Sequence, residues 1–132
     1  MSITSSSILV DGTVATTGGT ATGVIVKDTG NPFICILDDS SEFINQTLVK
    51  FTTRDPTVDS SAPNGYTQKR SEVYVSKPLS LDNGNVTKNT LRITLSVDHE
   101  STAAEVQNLL VTGAQLLADS DFSDFWKIQS RD

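Results

Sequence analysis

The sequence predicts an α+β protein in which six or seven antiparallel strands are followed by two C-terminal helices. Three observations support this fold class. Short runs of β-branched residues, separated by turn residues, recur as far as residue 97. From residue 102 onward the apolar residues recur at helical spacing. The length of 132 residues fits one domain that buries one core.

The N-terminal third is predicted to form a hairpin and two further short strands. Apolar and β-branched residues at 8–10 and 13–15 flank Asp11-Gly12. This dipeptide permits the positive φ that a tight two-residue turn requires. We therefore expect a hairpin there, followed by β-branched strands at residues 22–27 and 33–37.

The middle of the chain is predicted to contain three longer strands separated by loops. Two prolines and an Asn-Gly pair indicate a loop at residues 55–65, and Asn83-Gly84 indicates another at residues 79–88. Pro78 is expected to end the strand before it, because proline has no N–H to donate to a ladder. We expect the strands at residues 43–54, 66–77 and 89–97.

The C-terminal segment is predicted to be helical. Thr102 and Glu105 match a capping box, in which the threonine hydroxyl accepts from the Glu105 N–H and the carboxylate reaches back. One apolar stripe of about four turns follows, formed by Val106, Leu109, Leu110, Gly113, Leu116 and Leu117. A second, shorter helix, capped by Ser120 or Asp121, carries Phe122, Phe125 and Trp126. A helix this short is marginal alone, so its aromatic side must pack on another surface.

Side-chain alternation gives the predicted sheet two unlike faces. One face is apolar, with side chains such as Val49, Val73 and Leu91, and is expected to pack against the helices. The other is rich in hydroxyl groups and carries four bases with one acid, namely Lys50, Arg54, Arg70, Arg92 and Glu72. It is either the solvated face of an antiparallel sheet or a surface for phosphates and bases, on which Tyr74 could stack a base.

Charge is also segregated along the chain. The net charge of −6 argues at first against nucleic acid as a partner. However, residues 43–97 carry seven bases and four acids, whereas residues 1–42 and 98–132 are acidic. The pattern is either a randomly charged surface or a molecule with one positive face, and the second interpretation favours RNA.

Little in the sequence indicates catalysis or a cofactor. The single cysteine, Cys35, excludes an internal disulfide framework and is expected to be a small buried hydrophobe. The single histidine, His99, has no placed nucleophile and is expected to be a solvated junction residue. No apolar run could span a membrane, and the N-terminus does not match a signal peptide. We therefore expect no enzymatic activity, cofactor, metal, membrane association or small-molecule substrate.

Three stretches of the sequence resemble a known family. They are TLVKFTTRDP at residues 47–56, SEVYVSKPL at 71–79, and the stretch from the last predicted strand through both helices at 89–129. Their order and spacing, together with the length of the chain, are similar to those of the coat proteins of single-stranded RNA bacteriophages (levivirus-like).

This resemblance implies a fold, an assembly and a function. The fold would be an N-terminal hairpin, a five-stranded antiparallel sheet and two C-terminal helices. Two subunits would form an interlocked homodimer with a continuous ten-stranded sheet, and dimers would build an icosahedral shell around the viral single-stranded RNA. The bare sheet face would line the shell and also bind an RNA hairpin as a translational repressor. The protein would belong to the virion and assemble in the cytoplasm of the bacterial host.

The resemblance also implies residue roles and segment boundaries. One coat-protein domain would cover residues 1–132, with the hairpin at 1–20, the sheet at 21–97 and the helices at 102–130. The RNA-binding positions would be Lys50, Thr52, Arg54, Arg70, Glu72, Tyr74, Thr90, Arg92 and Thr94. The dimer interface would include Val106, Leu109, Leu110, Leu117, Phe122, Phe125 and Trp126.

Two other functional classes remain open from the residues alone. One is a cellular dimeric α+β module that binds RNA or protein and does not assemble into shells. The other is a small enzyme that uses His99 or a pair of carboxylates in a cleft. A one-layer sheet offers little cleft, so the coat protein is the favoured prediction.

Overall fold

The computed structural model describes residues 7–9, 21–37 and 45–131. The chain divides into two compact units, Met1–Ser96 and Val97–Asp132. The first contains the strands and the second contains the helices, and each is described by itself. That residues 1–132 act as one coat-protein domain stays a prediction.

The first unit begins with a small sheet of two strands. β1, Ser7–Leu9, pairs antiparallel with β2, Ala21–Gly23. The predicted Asp11-Gly12 turn and its return strand at residues 13–15 lie outside the described residues. The strand predicted at residues 22–27 is divided between two sheets, because β2 ends at Gly23. Glycine weakens a strand and often marks such a bend, which explains the division.

The main sheet has five strands in the order in which they occur along the chain. Each strand pairs with its sequence neighbour in an antiparallel meander, as predicted. The strand predicted at residues 43–54 begins only at Leu48 among the described residues. The strands are β3 (Ile25–Asp28), β4 (Phe33–Ile36), β5 (Leu48–Arg54), β6 (Lys69–Ser80) and β7 (Val86–Val97).

The prediction that Pro78 ends a strand is wrong, because β6 continues through it to Ser80. Pairing between β5 and β6 stops at Leu48 and Ser76. Beyond Ser76, β6 therefore has no described ladder partner on its β5 side. Proline is tolerated at such an edge, since the missing N–H removes no ladder hydrogen bond there.

A short turn over residues 81–85 joins β6 to β7, so the loop predicted at residues 79–88 is too long. Leu81 N–H donates to the Asn85 carbonyl at 2.8 Å, and Gly84 N–H donates to the Leu81 carbonyl at 3.0 Å. Gly84 has a φ of 85°, which an L side chain adopts only with strain. The turn brings the two longest strands side by side and so extends the sheet.

The buried core lies on the central strands of the sheet. Cys35 is fully buried on β4, as predicted, and burial raises the pKa of its thiol. The other buried apolar residues described are Ile36, Leu37, Leu48, Val49 and Val97. On β7 the apolar side chains opposite Arg92 are open to solvent, since Leu91 is 44% exposed and Ile93 is 42% exposed.

The second unit contains the two predicted helices. α1, Ala103–Ala118, begins after Thr102, whose hydroxyl accepts from the Glu105 N–H at 3.2 Å. A 3-10 turn, Ser120–Phe122, then leads into α2, Ser123–Ile128. The prediction that Ser120 or Asp121 caps this segment is wrong. The cap is Asp119, because the short 3-10 turn moves the first free N–H groups one residue earlier; its carboxylate accepts from the Asp121 N–H at 3.0 Å.

Neither helix buries a residue within this chain. The Trp126 indole N–H donates to the Leu116 carbonyl at 2.7 Å and ties α2 to the end of α1. Their large apolar side chains remain exposed, namely Leu109, Leu110, Val111, Leu116, Leu117, Phe122, Phe125, Trp126 and Ile128. None of the described helices has the length and hydropathy that a membrane span requires.

Candidate nucleic-acid interface

The register between β5 and β6 brings the predicted polar residues opposite one another. Lys50 lies opposite Tyr74, Thr52 opposite Glu72, and Arg54 opposite Arg70. The alternation predicted for these strands is therefore confirmed, and β7 adds polar residues to the same side through its contacts with β6. We call this surface the polar face: Lys50, Thr52, Arg54, Arg70, Glu72, Tyr74, Thr90, Arg92, Thr94 and Ser96.

Tyr74 lies near the centre of the polar face with a cation from each neighbouring strand beside it. The Lys50 ammonium is 5.6 Å from the ring centroid, and the Arg92 guanidinium carbon is 5.2 Å from it. Both distances are within the range of cation–π attraction. The ring is half-buried. It therefore presents an aromatic surface with positive charge on two sides.

Glu72 is the single acid among the polar-face residues of β5, β6 and β7. Its carboxylate lies 3.4 Å from Arg92 Nε and accepts from the Thr94 hydroxyl at 3.3 Å. The Arg92 side chain is 63% exposed, whereas that of Glu72 is 27% exposed. An ion pair this exposed contributes little stability. Its effect is to orient the Arg92 and Glu72 side chains.

Arg54 and Arg70 form the most positive part of the polar face. They are directly opposite each other on adjacent strands, an arrangement in which like charges repel. Arg70 Nε donates to the Ser96 hydroxyl at 3.3 Å, but this contact neutralises no charge. Neither arginine has an acidic partner among the described residues. An anion bound between them would relieve the repulsion.

The structure also shows which polar-face residues act together. Thr52, Arg54 and Thr90 are exposed on this face but make none of the side-chain contacts that join the others. Ser96 was not predicted to bind RNA, although it holds Arg70. Its place in the alternation of β7 puts it beside Thr94 and Arg92, which is the signal that could have selected it.

The residues considered for catalysis are not brought together. His99 lies in the turn before α1, with Nδ1 at 3.8 Å from the Asp98 carboxylate. Cys35 is enclosed in the sheet. The described residues contain no group of three side chains suited to hold a metal. In chemical terms the polar face is a flat cationic and aromatic surface, which suits an extended polyanion with stackable bases.

This fold is shared with proteins of solved structure, although neither a protein-family model nor a curated protein matches the sequence. The structure is similar to the virus-like particle of bacteriophage GQ-907, with a TM-score of 0.77 and 27% identity over 91% of both chains.

Two further particles share the fold at lower sequence identity. The virus-like particle of bacteriophage AVE019 has a TM-score of 0.68 and 13% identity over 96% of this chain and 97% of that chain. The virus-like particle of bacteriophage NT-214 has a TM-score of 0.65 and 13% identity over 96% of both. The sheet and helices described above are therefore a fold shared with bacteriophage virus-like particles, as the resemblance to levivirus-like coat proteins predicts.

Proposed function

We propose that this chain is a capsid protein that dimerises and self-assembles into an icosahedral shell around single-stranded RNA. Its polar face would line the shell and contact the RNA. The observation that carries the RNA part is the opposed, unneutralised pair of Arg54 and Arg70 beside Lys50, Tyr74 and Arg92.

The charge balance supports RNA as the polyanion. The polar-face residues of β5, β6 and β7 include four cations and one acid, in a protein whose net charge is −6. The polar face is therefore positive although the protein as a whole is acidic. Arginine side chains donate to phosphate oxygens in a forked geometry, and tyrosine stacks on bases of any sequence. Both interactions suit packaging of a long single strand without dependence on one sequence.

The exposed helices support dimerisation. Helices of this length owe most of their stability to packing of an apolar face, yet no residue of α1 or α2 is buried within the chain. A second copy that covers these side chains would remove the exposed apolar area from water. The residues we propose for this contact are Val106, Leu109, Leu110, Leu117, Phe122, Phe125 and Trp126.

The free edge of the sheet also supports dimerisation. β7 is the last strand in the sheet order, so one of its edges has no partner in the described chain. Unpaired edge strands readily pair with another chain. Pairing of two β7 strands would give the ten-stranded sheet of an interlocked homodimer and would place the half-exposed Leu91 and Ile93 within it.

Two finer parts of the proposal concern regulation and place. The polar face would also bind a hairpin in the viral RNA and so repress translation. Assembly would take place in the cytoplasm of the bacterial host, and the product would be a virion component. The chain itself would catalyse no reaction and need no cofactor or small-molecule substrate.

Electron microscopy of the purified full-length protein, with the ratio of absorbance at 260 and 280 nm, tests this function. We expect uniform closed shells that contain RNA. Empty shells would contradict RNA packaging while leaving assembly intact. A small dimer that persists across salt and protein concentrations would instead support the cellular binding module.

A further inference from the structure

The single carboxylate of the polar face is at odds with a surface built only to bind phosphate. Glu72 lies between Thr52 on β5 and Thr94 on β7, where it repels any nearby phosphate. It is also held in place, since Arg92 and Thr94 both contact it. A carboxylate oriented in this way suggests a ligand group that donates hydrogen bonds.

We propose, on the basis of the function proposed above, that Glu72 selects bases that carry an exocyclic amino group. A base would stack on Tyr74 and donate from its amino group to the Glu72 carboxylate. Adenine, cytosine and guanine carry such a group, whereas uracil presents carbonyl oxygens in its place. Glu72 thus adds base discrimination to a face that otherwise binds RNA through charge and stacking.

The distances on this face suit such a contact. Glu72 and Tyr74 are two residues apart on β6, so their side chains point to the same side at a spacing of roughly 7 Å. This spacing is about the width of a base stacked on the ring, so the edge of that base reaches the carboxylate. Arg92 contacts both the Tyr74 ring and Glu72, so it would lie beside the bound base.

The hydrogen-bonding capacity of Glu72 is only partly used. An ionised carboxylate has about four lone-pair positions. Arg92 and Thr94 supply one donor to each oxygen in the free protein. The side chain is 27% exposed, so solvent and a ligand can reach the remaining positions. The carboxylate can therefore accept from an amino group while it keeps its contacts with Arg92 and Thr94.

Binding of fluorescent oligocytidine and oligouridine of equal length tests this proposal. The two RNAs carry the same phosphate charge, so a difference between them reports on the base. The full-length protein is used at concentrations where light scattering shows no closed shells, since shells would hide the polar face. We expect oligocytidine to bind at least about fivefold more tightly, a value at the low end of base discrimination by one good contact.

Glu72→Gln should remove this preference, because the amide both donates and accepts and so suits uracil as well as cytosine. Glu100→Gln is the matched control: it removes the same charge from the exposed turn before α1 and should leave the preference unchanged. If Glu72→Gln tightens binding of both RNAs equally and keeps their ratio, Glu72 acts only through its charge and the proposal is wrong. If the unaltered protein shows no salt-dependent binding of either RNA, the proposed function itself is wrong.

Discussion

The polar face and the helical unit differ in how much of their structure one chain completes. On the polar face, side chains from three strands contact one another, with Tyr74, Glu72 and Arg70 of β6 each joined to a neighbouring strand. In the helical unit one hydrogen bond, from Trp126 to Leu116, ties α2 to α1, while the apolar side chains remain exposed. The polar face is thus preorganised in one chain, whereas no residue of α1 or α2 is buried in one chain. Ligand binding and assembly should therefore respond to different substitutions.

In the helical unit, we expect substitution of Trp126 to have the greatest effect on assembly. Trp126→Ala removes the largest exposed aromatic side chain of α2 together with its bond to α1. We expect the dimer to be destabilised by about 3–5 kcal/mol, the usual result of truncating an aromatic anchor. Size-exclusion chromatography with light scattering measures the dimer fraction. Trp126→Phe is the control, and should cost only about 1 kcal/mol for the lost hydrogen bond. Normal assembly of Trp126→Ala would show that α2 is not shared between subunits.

Substitution of the two opposed arginines should weaken RNA binding by the polar face and leave assembly intact. Each arginine that contacts phosphate contributes about 0.7 to the slope of log K against log salt for single-stranded RNA. The double variant Arg54→Ala/Arg70→Ala should therefore reduce the slope by about 1.4 and weaken binding about twentyfold at 0.1 M salt. Fluorescence anisotropy over a salt series measures both values.

Lys77→Ala is the control for charge, and it removes one positive charge where the double variant removes two. Lys77 is an exposed cation of β6, but alternation puts it on the opposite side from Arg70. We expect the slope of log K against log salt for Lys77→Ala to equal that of the unaltered protein. A loss of about 0.7, half the loss in the double variant, would mean that total charge, and not the polar face, governs RNA binding.

Substitution of Gly84, in the turn between β6 and β7, should have a smaller effect. Gly84→Ala places a methyl group at a φ of 85°, where nothing lies within 4 Å of the added atom. The penalty is therefore conformational, about 1–2 kcal/mol, and appears in the free energy of unfolding in urea. Gly84→Asn should cost less, because asparagine tolerates positive φ. If Gly84→Ala is as stable as the unaltered protein, the turn must relax to another conformation.

The smallest predicted effect concerns the helical unit alone. Thr102→Ala removes the hydroxyl that accepts from the Glu105 N–H, and should destabilise α1 by about 1 kcal/mol. Urea denaturation followed by helical circular dichroism measures the loss. Thr102→Ser should restore most of it, since serine caps equally well. An unchanged midpoint for Thr102→Ala would indicate that packing between subunits outweighs the cap.

The parts of the fold that could be predicted are those governed by local patterns. Alternation in β5, β6 and β7 placed Arg54, Arg70 and Arg92 on one side, and the Thr102 cap marked the start of α1. The effect of Pro78 could not be predicted, because it depends on whether a neighbouring strand needs an N–H at that position. The cap at Asp119 could not be predicted either, because a 3-10 turn comes before α2.

The candidate site, too, could be predicted only in part. Its residue types were predictable, but the contacts between them were not. The opposition of Arg54 and Arg70 depends on the register of β5 against β6, and a slip of one residue would move every side chain to the other face. Alternation puts Ser96 on the polar face, but its contact with Arg70 depends on how β6 and β7 are aligned.

The fold class, the two faces of the sheet and the apolar stripe of the helices can be read from the amino-acid sequence. These follow from periodicities of two and 3.6 residues, which each segment carries in its own side chains. The folded structure was needed to show that two cations flank Tyr74, that Arg92 and Thr94 hold Glu72, and that Arg54 faces Arg70. Strand register sets these contacts, and it results from the pairing of all the strands together, which no single segment encodes.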